Sequence, residues 1–205
     1  MSRLLVLLAA AALCAGCVSS ALKSDNEAPE VYRLEGASIA AGGDSLPLAL
    51  SVTRPRAASS LDTERMAVVM PGGGFDYFAG VRWADPAPQM LQQLLVQAFA
   101  ADGRFAVTVA APSRVPTDLM LDVELRQFEA VYVDEKSAPR VRIEMQVTLV
   151  DSRKGTRVAS FRAAAEAPAE RNRQQAVVAA FDVATDEALK AVVARVREST
   201  ASLAL

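Results

Sequence analysis

The chain of 205 residues contains no histidine. That removes the imidazole on which Ser-His-Asp and Cys-His nucleophilic sites depend, and the nitrogen ligand that most catalytic zinc sites use. No catalytic residue, no cofactor-binding residue and no metal ligand is therefore expected. Sulfur is scarce, with Cys14 and Cys17 the only cysteines, and Trp83 is the only tryptophan. Positive charge is not in excess: 22 Lys and Arg stand against 24 Asp and Glu, for a net charge of -2 and a pI of 5.3. A nucleic-acid partner is excluded on that balance, since phosphate binding needs a basic footprint. What remains is a foldable composition, 52% apolar and 22% charged, which rules out wholesale disorder. The length suits a single domain with a short leader.

The leader is residues 1–16. Arg3 supplies one positive charge, and Leu4 to Leu13 follow as a run of Leu, Val and Ala. Such a run is half the roughly 20 residues a membrane-spanning helix needs and matches the apolar stretch of a secretory signal. Cys14-Ala15-Gly16-Cys17 then resembles a bacterial lipobox. Its small residues Ala15 and Gly16 precede the cysteine, and Cys14 stands where lipoboxes usually carry Leu. Signal removal before Cys17 discards Cys14 and leaves one thiol, which cannot close an internal disulfide and is the expected site of lipidation. Acyl chains at about 0.8 kcal/mol per buried CH₂ would anchor the chain without a spanning helix. Val18 occupies the position where Asp favours inner-membrane retention, so the expected location is the periplasmic face of the outer membrane. Residues 17–30 form a lipidated, polar tether, and 31–205 a single α+β periplasmic domain.

Within that domain, Val31–Leu34, Pro47–Thr53, Arg65–Met70 and Phe75–Phe78 read as strands. Pro71-Gly72-Gly73-Gly74 joins the last two as a hairpin connection. It lacks the Lys-Ser/Thr and following helix of a phosphate cradle. A helix follows, with Asp85 as its expected cap, Pro86 in its first turn and Gly103 beyond its end. Leu91, Leu94, Leu95, Ala98 and Phe99 make its apolar stripe. After a strand at Arg104–Val109, the clearest alternation lies in Asp118–Gln127 and Val141–Leu149, two half-buried strands joined by a polar turn. A strand through Val158 and Phe161 and a helix from about Gln174 to Arg197 complete the domain. The expected fold is an antiparallel or mixed β-sheet with two amphipathic helices packed on one face.

Tyr77-Phe78-Ala79-Gly80-Val81-Arg82-Trp83-Ala84-Asp85-Pro86, followed later by Gly103-Arg104-Phe105, resembles the ABC-type transport auxiliary lipoprotein family, which includes the paraquat-inducible protein C type. Leu61-Asp62-Thr63 and the alanine-rich last helix add to the resemblance, which covers essentially the mature domain. It implies an outer-membrane-anchored accessory protein of an ABC lipid transporter. The implied partner is an MCE-domain protein, with lipid as a further one, and no catalysis is implied. The other reading is an assembly or structural lipoprotein of a different outer-membrane machine, such as lipopolysaccharide export. Exposed strand edges also allow a homo-oligomer.

Tyr77, Phe78, Arg82 and Trp83 are the candidate partner contacts. Trp83 has two readings, a core anchor for the helix that follows it or a contact residue. Tyr77 and Phe78 are expected to face opposite ways on a strand, one inward and one outward. Asp122, Glu124, Asp134 and Glu144 could be imagined as an acid/base pair of a hydrolase. Arg126 and Arg142 among them point instead to a solvated, cross-strand-paired face. Arg171, Asn172 and Arg173 are candidates for touching lipid headgroups or a partner.

Overall fold

Leu119, Leu121, Val123 and Leu125 are buried and alternate with half-exposed Met120, Asp122 and Glu124. Past Arg126 the buried positions shift by one, to Phe128 and Ala130. A bulge between Leu125 and Gln127 causes the shift, inserting one residue so that both halves of the strand face the same core. This strand, β7 (Leu119–Val131), is the spine of the molecule in the computed structural model, which describes residues 28–42 and 45–201. The signal segment, Cys17 and the tether through residue 27 lie outside the described residues.

The strands before β7 are β1 (Glu30–Tyr32), β2 (Leu46–Val52), β3 (Arg56–Ala57), β4 (Arg65–Val69), β5 (Phe75–Trp83) and β6 (Phe105–Ala110); β8 (Arg140–Asp151) and β9 (Thr156–Pro168) follow it. One edge of β7 carries β2, β3 and β4 in succession, all parallel to it. Its other edge pairs antiparallel with β8, and β8 with β9. β6 extends the sheet beyond β2, and β5 then β1 extend it beyond β4. The result is a mixed, open, nine-stranded sheet.

Two helices cover one face, α1 (Ala87–Asp102) and α2 (Gln174–Ser199). Leu91, Leu95 and Phe99 of α1 and Phe181, Ala184, Ala188 and Val192 of α2 are fully enclosed, in one cluster with the inward residues of β7 and β8. Each such large apolar side chain contributes roughly 1.5–3 kcal/mol by leaving water. The architecture is α+β, two layers around one core.

Several local expectations are corrected. Asp85 does not cap α1: Pro86 holds that position with φ −52° and ψ 137°, and no side chain bonds the free backbone N–H groups. Asp85 instead accepts a hydrogen bond from Gln89 Nε2 at 3.0 Å. β5 runs nine residues instead of four, and Arg56–Ala57 forms a strand that polarity does not mark.

Gly103 does terminate α1 as expected. It adopts φ 70°, and its N–H donates to Phe99 O at 3.3 Å. Left-handed backbone costs a residue with a Cβ about 1–2 kcal/mol, so Gly103→Ala is expected to lower the unfolding free energy by that amount, read as a lower urea midpoint with an unchanged slope.

Residues 33–42, of which the sequence reads only Arg33 and Leu34 as the end of a strand, form a strap across the helices. Backbone N–H groups of Glu35 and Ser38 donate to Asp182 Oδ1 and Asp186 Oδ1 of α2, both at 3.1 Å. Gly42 N–H donates to Asp102 O at the end of α1 (3.1 Å). Gly36, at φ 85°, passes so close to α1 that a Cβ there would sit 2.9 Å from Leu94 Cδ2.

Burial under the strap pushes the Asp182 carboxyl above its ordinary 3.8, a shift that Glu35's charge adds to and its N–H opposes. The folded chain thus holds this proton more tightly than the unfolded chain, and the contribution of Asp182 to stability falls as pH rises through the interval above 3.8. Asp182→Asn keeps an oxygen acceptor for Glu35 without the charge. Its stability relative to the parent is expected to grow between about pH 4 and pH 7, measured by urea unfolding.

Candidate docking surface

β5 leaves the Gly72–Gly74 turn along the outer side of β4, and its first residues form an aromatic rim. Phe75 is 43% exposed and meets the Tyr77 ring edge-on, with centroids 5.3 Å apart. The Arg65 guanidinium lies 3.6 Å from the centre of the Tyr77 ring, on which it stacks, and Tyr77 Oη donates to Ser60 O at 3.1 Å. Phe78 is half-buried against Tyr132, with centroids 6.3 Å apart. Tyr77 and Phe78 are thus both half-buried, rather than one inward and one outward.

Val133, 86% exposed, follows Tyr132 at the end of β7, beside the same corner. Tyr132 Oη donates to Asn172 Oδ1 at 2.7 Å, and Asn172 Nδ2 to Glu135 O at 3.2 Å. These bonds hold the 168–173 loop against the corner. Burial raises the Tyr132 phenol above its ordinary value, so it stays a neutral donor here.

Arg82 pairs with Glu64 at 2.5 Å on the surface. Trp83 is fully buried, packed 5.6 Å from Phe128 and 5.0 Å from Phe181 by ring centroid. Of its two readings the structure gives the core one, and its ring is not available for contact. The bulge near Gly80, where pairing jumps from Ala67↔Tyr77 to Arg65↔Arg82, lets β5 present its aromatic half outward and bury Trp83. The structure therefore brings Phe75 and Tyr77 together on one face of β5 and sets Phe78 against Tyr132, with exposed Val133 next along the chain; Phe75 and Val133 carry no polar pattern that sequence could have used.

The carboxylates lie mostly on the helix-free face of the sheet. Asp122 pairs with Arg56 (3.0 Å), Glu124 with Arg126 (3.5 Å), and Glu144 with Arg162 (2.6 Å) and Arg126 (3.9 Å). Asp134 accepts hydrogen bonds within its own turn, from Ser137 and from the N–H of Lys136, which lower its pKa below the ordinary 3.8. The exposed pairs among these are worth about 0–1 kcal/mol each, and Glu144, the more enclosed carboxylate, is held by two arginines. Among the described residues no group of three or more His, Cys, Asp or Glu could hold a metal ion, and no helix is long and apolar enough to cross a membrane.

The comparison with protein families decides the identity. Residues 32–193 match the model of the ABC-type transport auxiliary lipoprotein component. The chain belongs to that family. A crystal structure of a Xanthomonas campestris protein of the DUF330 family superimposes with a TM-score of 0.77 at 26% identity, over 85% of this chain and 98% of that one. A hypothetical protein of Chlamydia trachomatis shares the fold alone, at a TM-score of 0.51 and 8% identity, over 78% of this chain and 99% of that one. An uncharacterised protein of Bradyrhizobium diazoefficiens is 29% identical over 140 residues. That match takes in 68% of this chain and only 37% of the relative's length, so the auxiliary lipoprotein is similar to one part of a longer protein.

Proposed function

We propose that this auxiliary lipoprotein is a non-catalytic accessory component of an MCE-type ABC lipid transport system. It is anchored through lipidated Cys17 to the periplasmic face of the outer membrane and docks on the MCE-domain partner. The observation that carries the reading is the family match across 32–193. The arginine-paired carboxylates of β7 and β8 and the aromatic rim support it as binding groups. The residues between Cys17 and β1 reach at most about 40 Å when extended, so the domain works close to its own leaflet.

Phe75, Tyr77, Phe78 and Val133 are the docking rim in this reading. Exposed aromatics flanked by an arginine are what interface centres favour. A photo-crosslinking residue at position 75 or 133 of the full chain is expected to give an adduct with an MCE-domain protein in living cells. An adduct with an outer-membrane β-barrel instead would favour the assembly reading. Cys17→Ser is expected to lose incorporation of labelled fatty acid and to move the chain from the membrane to the soluble fraction. Retention of label would overturn Cys17 as the anchor.

A further inference from the structure

β6 closes one end of the sheet. It pairs with β2 alone, so its outer edge faces solvent among the described strands. Ala111 N–H donates to Val52 O at 2.8 Å, continuing the β2 ladder. By strand alternation Val107 and Val109 also turn their backbone groups toward β2, and Ala106, Thr108 and Ala110 turn theirs outward. No hydrogen-bond partner of those outward groups occurs among the described residues.

Exposed edges are normally guarded by charge, proline or irregularity. The other edges of this sheet are. β9 carries Arg157, Arg162 and Glu166, β1 is three residues long, and the aromatic half of β5 ends at its bulge, with Gln174 Nε2 donating to Ala79 O at 3.2 Å. β6 itself carries neither charge nor proline, the first proline being Pro112 just past its end. From Phe105 to Ser113 there is no charged residue, and Ala106, Val107 (40% exposed) and Ala110 face water.

The edge is also a palindrome, Ala106-Val107-Thr108-Val109-Ala110. We infer that β6 pairs antiparallel with β6 of a second copy about a two-fold axis at Thr108, joining two sheets into one. In that register each Val107 lies opposite a Val109, each Ala106 opposite an Ala110, and Thr108 opposite Thr108. The outward backbone groups of the two copies then coincide as hydrogen-bonded pairs. β-branched and threonine cross-strand pairs are favourable ones, and no like charges meet. An edge this short binds weakly in free solution, but chains confined to one leaflet meet at a high effective concentration.

The register makes a positional test. Across a hydrogen-bonded antiparallel pair the Cα atoms are about 5.5 Å apart, within disulfide range. Only position 108 faces itself; position 106 of one copy lies ~14 Å from 106 of the other. The full-length chain in native membranes, oxidised and run without reductant, is expected to form a dimer band with Thr108→Cys. The band with Ala106→Cys or Ala110→Cys alone is expected to be at least tenfold weaker, and the pair of substitutions together should restore it. Adding Val107→Lys to Thr108→Cys, at a position where solvent already reaches the side chain, is expected to weaken the band at least tenfold with circular dichroism unchanged. Purified wild-type chain in detergent should show a mass rising from one chain to two over the micromolar range. Equal bands at 106, 108 and 110, insensitivity to Val107→Lys, a disulfide from position 108 to a different protein, or a single-chain mass at every concentration would each overturn the pairing.

Discussion

Trp83→Ala is expected to destabilise the domain by about 3–5 kcal/mol, the largest effect of any single truncation in the core. The indole is fully buried and touches Phe128 on β7 and Phe181 on α2, whose rings in turn lie 5.0 Å apart. Removing it opens a cavity where β5, the spine strand and the last helix meet. Domains of this size are stable by only about 5–15 kcal/mol, so the variant should sit near the edge of folding at 37 °C. Urea unfolding followed by circular dichroism would read the loss directly. Trp83→Phe, which keeps an aromatic ring there, should cost less than half as much. Equal losses for both would mean that the aromatic triad is not what holds β5 to α2.

Arg197→Ala is expected to cost about 3–5 kcal/mol, by stranding a buried charge. Asp102, at the end of α1, is completely enclosed and forms an ion pair with Arg197 of α2. Arg197 Nη2 also donates to Ala40 O of the strap at 2.9 Å. Beside them Arg104 Nε and Nη2 donate to Thr200 Oγ1 and O, at 3.0 and 2.9 Å. This cluster fastens the ends of both helices and the strap to one another. Replacing both charges with apolar residues of similar volume, Asp102→Leu with Arg197→Met, should recover most of the loss, since a buried pair contributes little beyond what apolar packing would. A double-mutant cycle by urea unfolding measures the coupling; an Arg197→Ala cost below about 1 kcal/mol would show the pair to be solvated in practice.

Why some of this was legible in sequence, and some not, follows from what each feature is made of. β7 and β8 alternate because one face is buried and the other wet, and side-chain polarity records that period. The two helices show their stripes for the same reason. β3 is a strand by backbone pairing of Arg56 and Ala57 with Glu124 and Leu125, and neither residue type announces it. β5 looks short because Ala79 and Gly80 break its alternation at a bulge that only the fold makes necessary. Asp85 has the right chemistry for a helix cap, but Pro86 occupies the geometry. The Asp102–Arg197–Arg104 cluster joins residues nearly a hundred positions apart, and each looks like an ordinary surface charge until the chain is folded. At the docking rim, Tyr77 and Phe78 stand out by residue type, while Val133 follows Tyr132, the residue on which Phe78 packs, only because β7 ends on the far side of β4 from β5.

The spine strand also has a temporal consequence. The ribbons β2–β6 and β1–β5–β4 are connected to each other only through β7, which lies after all of them in the chain. During synthesis these two pieces emerge first, each with an unsatisfied margin, and neither can be incorporated until Leu119–Val131 arrives between them and β8. A polypeptide stopped before Leu119 is thus two orphan halves, and chaperones would have to shelter both until the splice arrives.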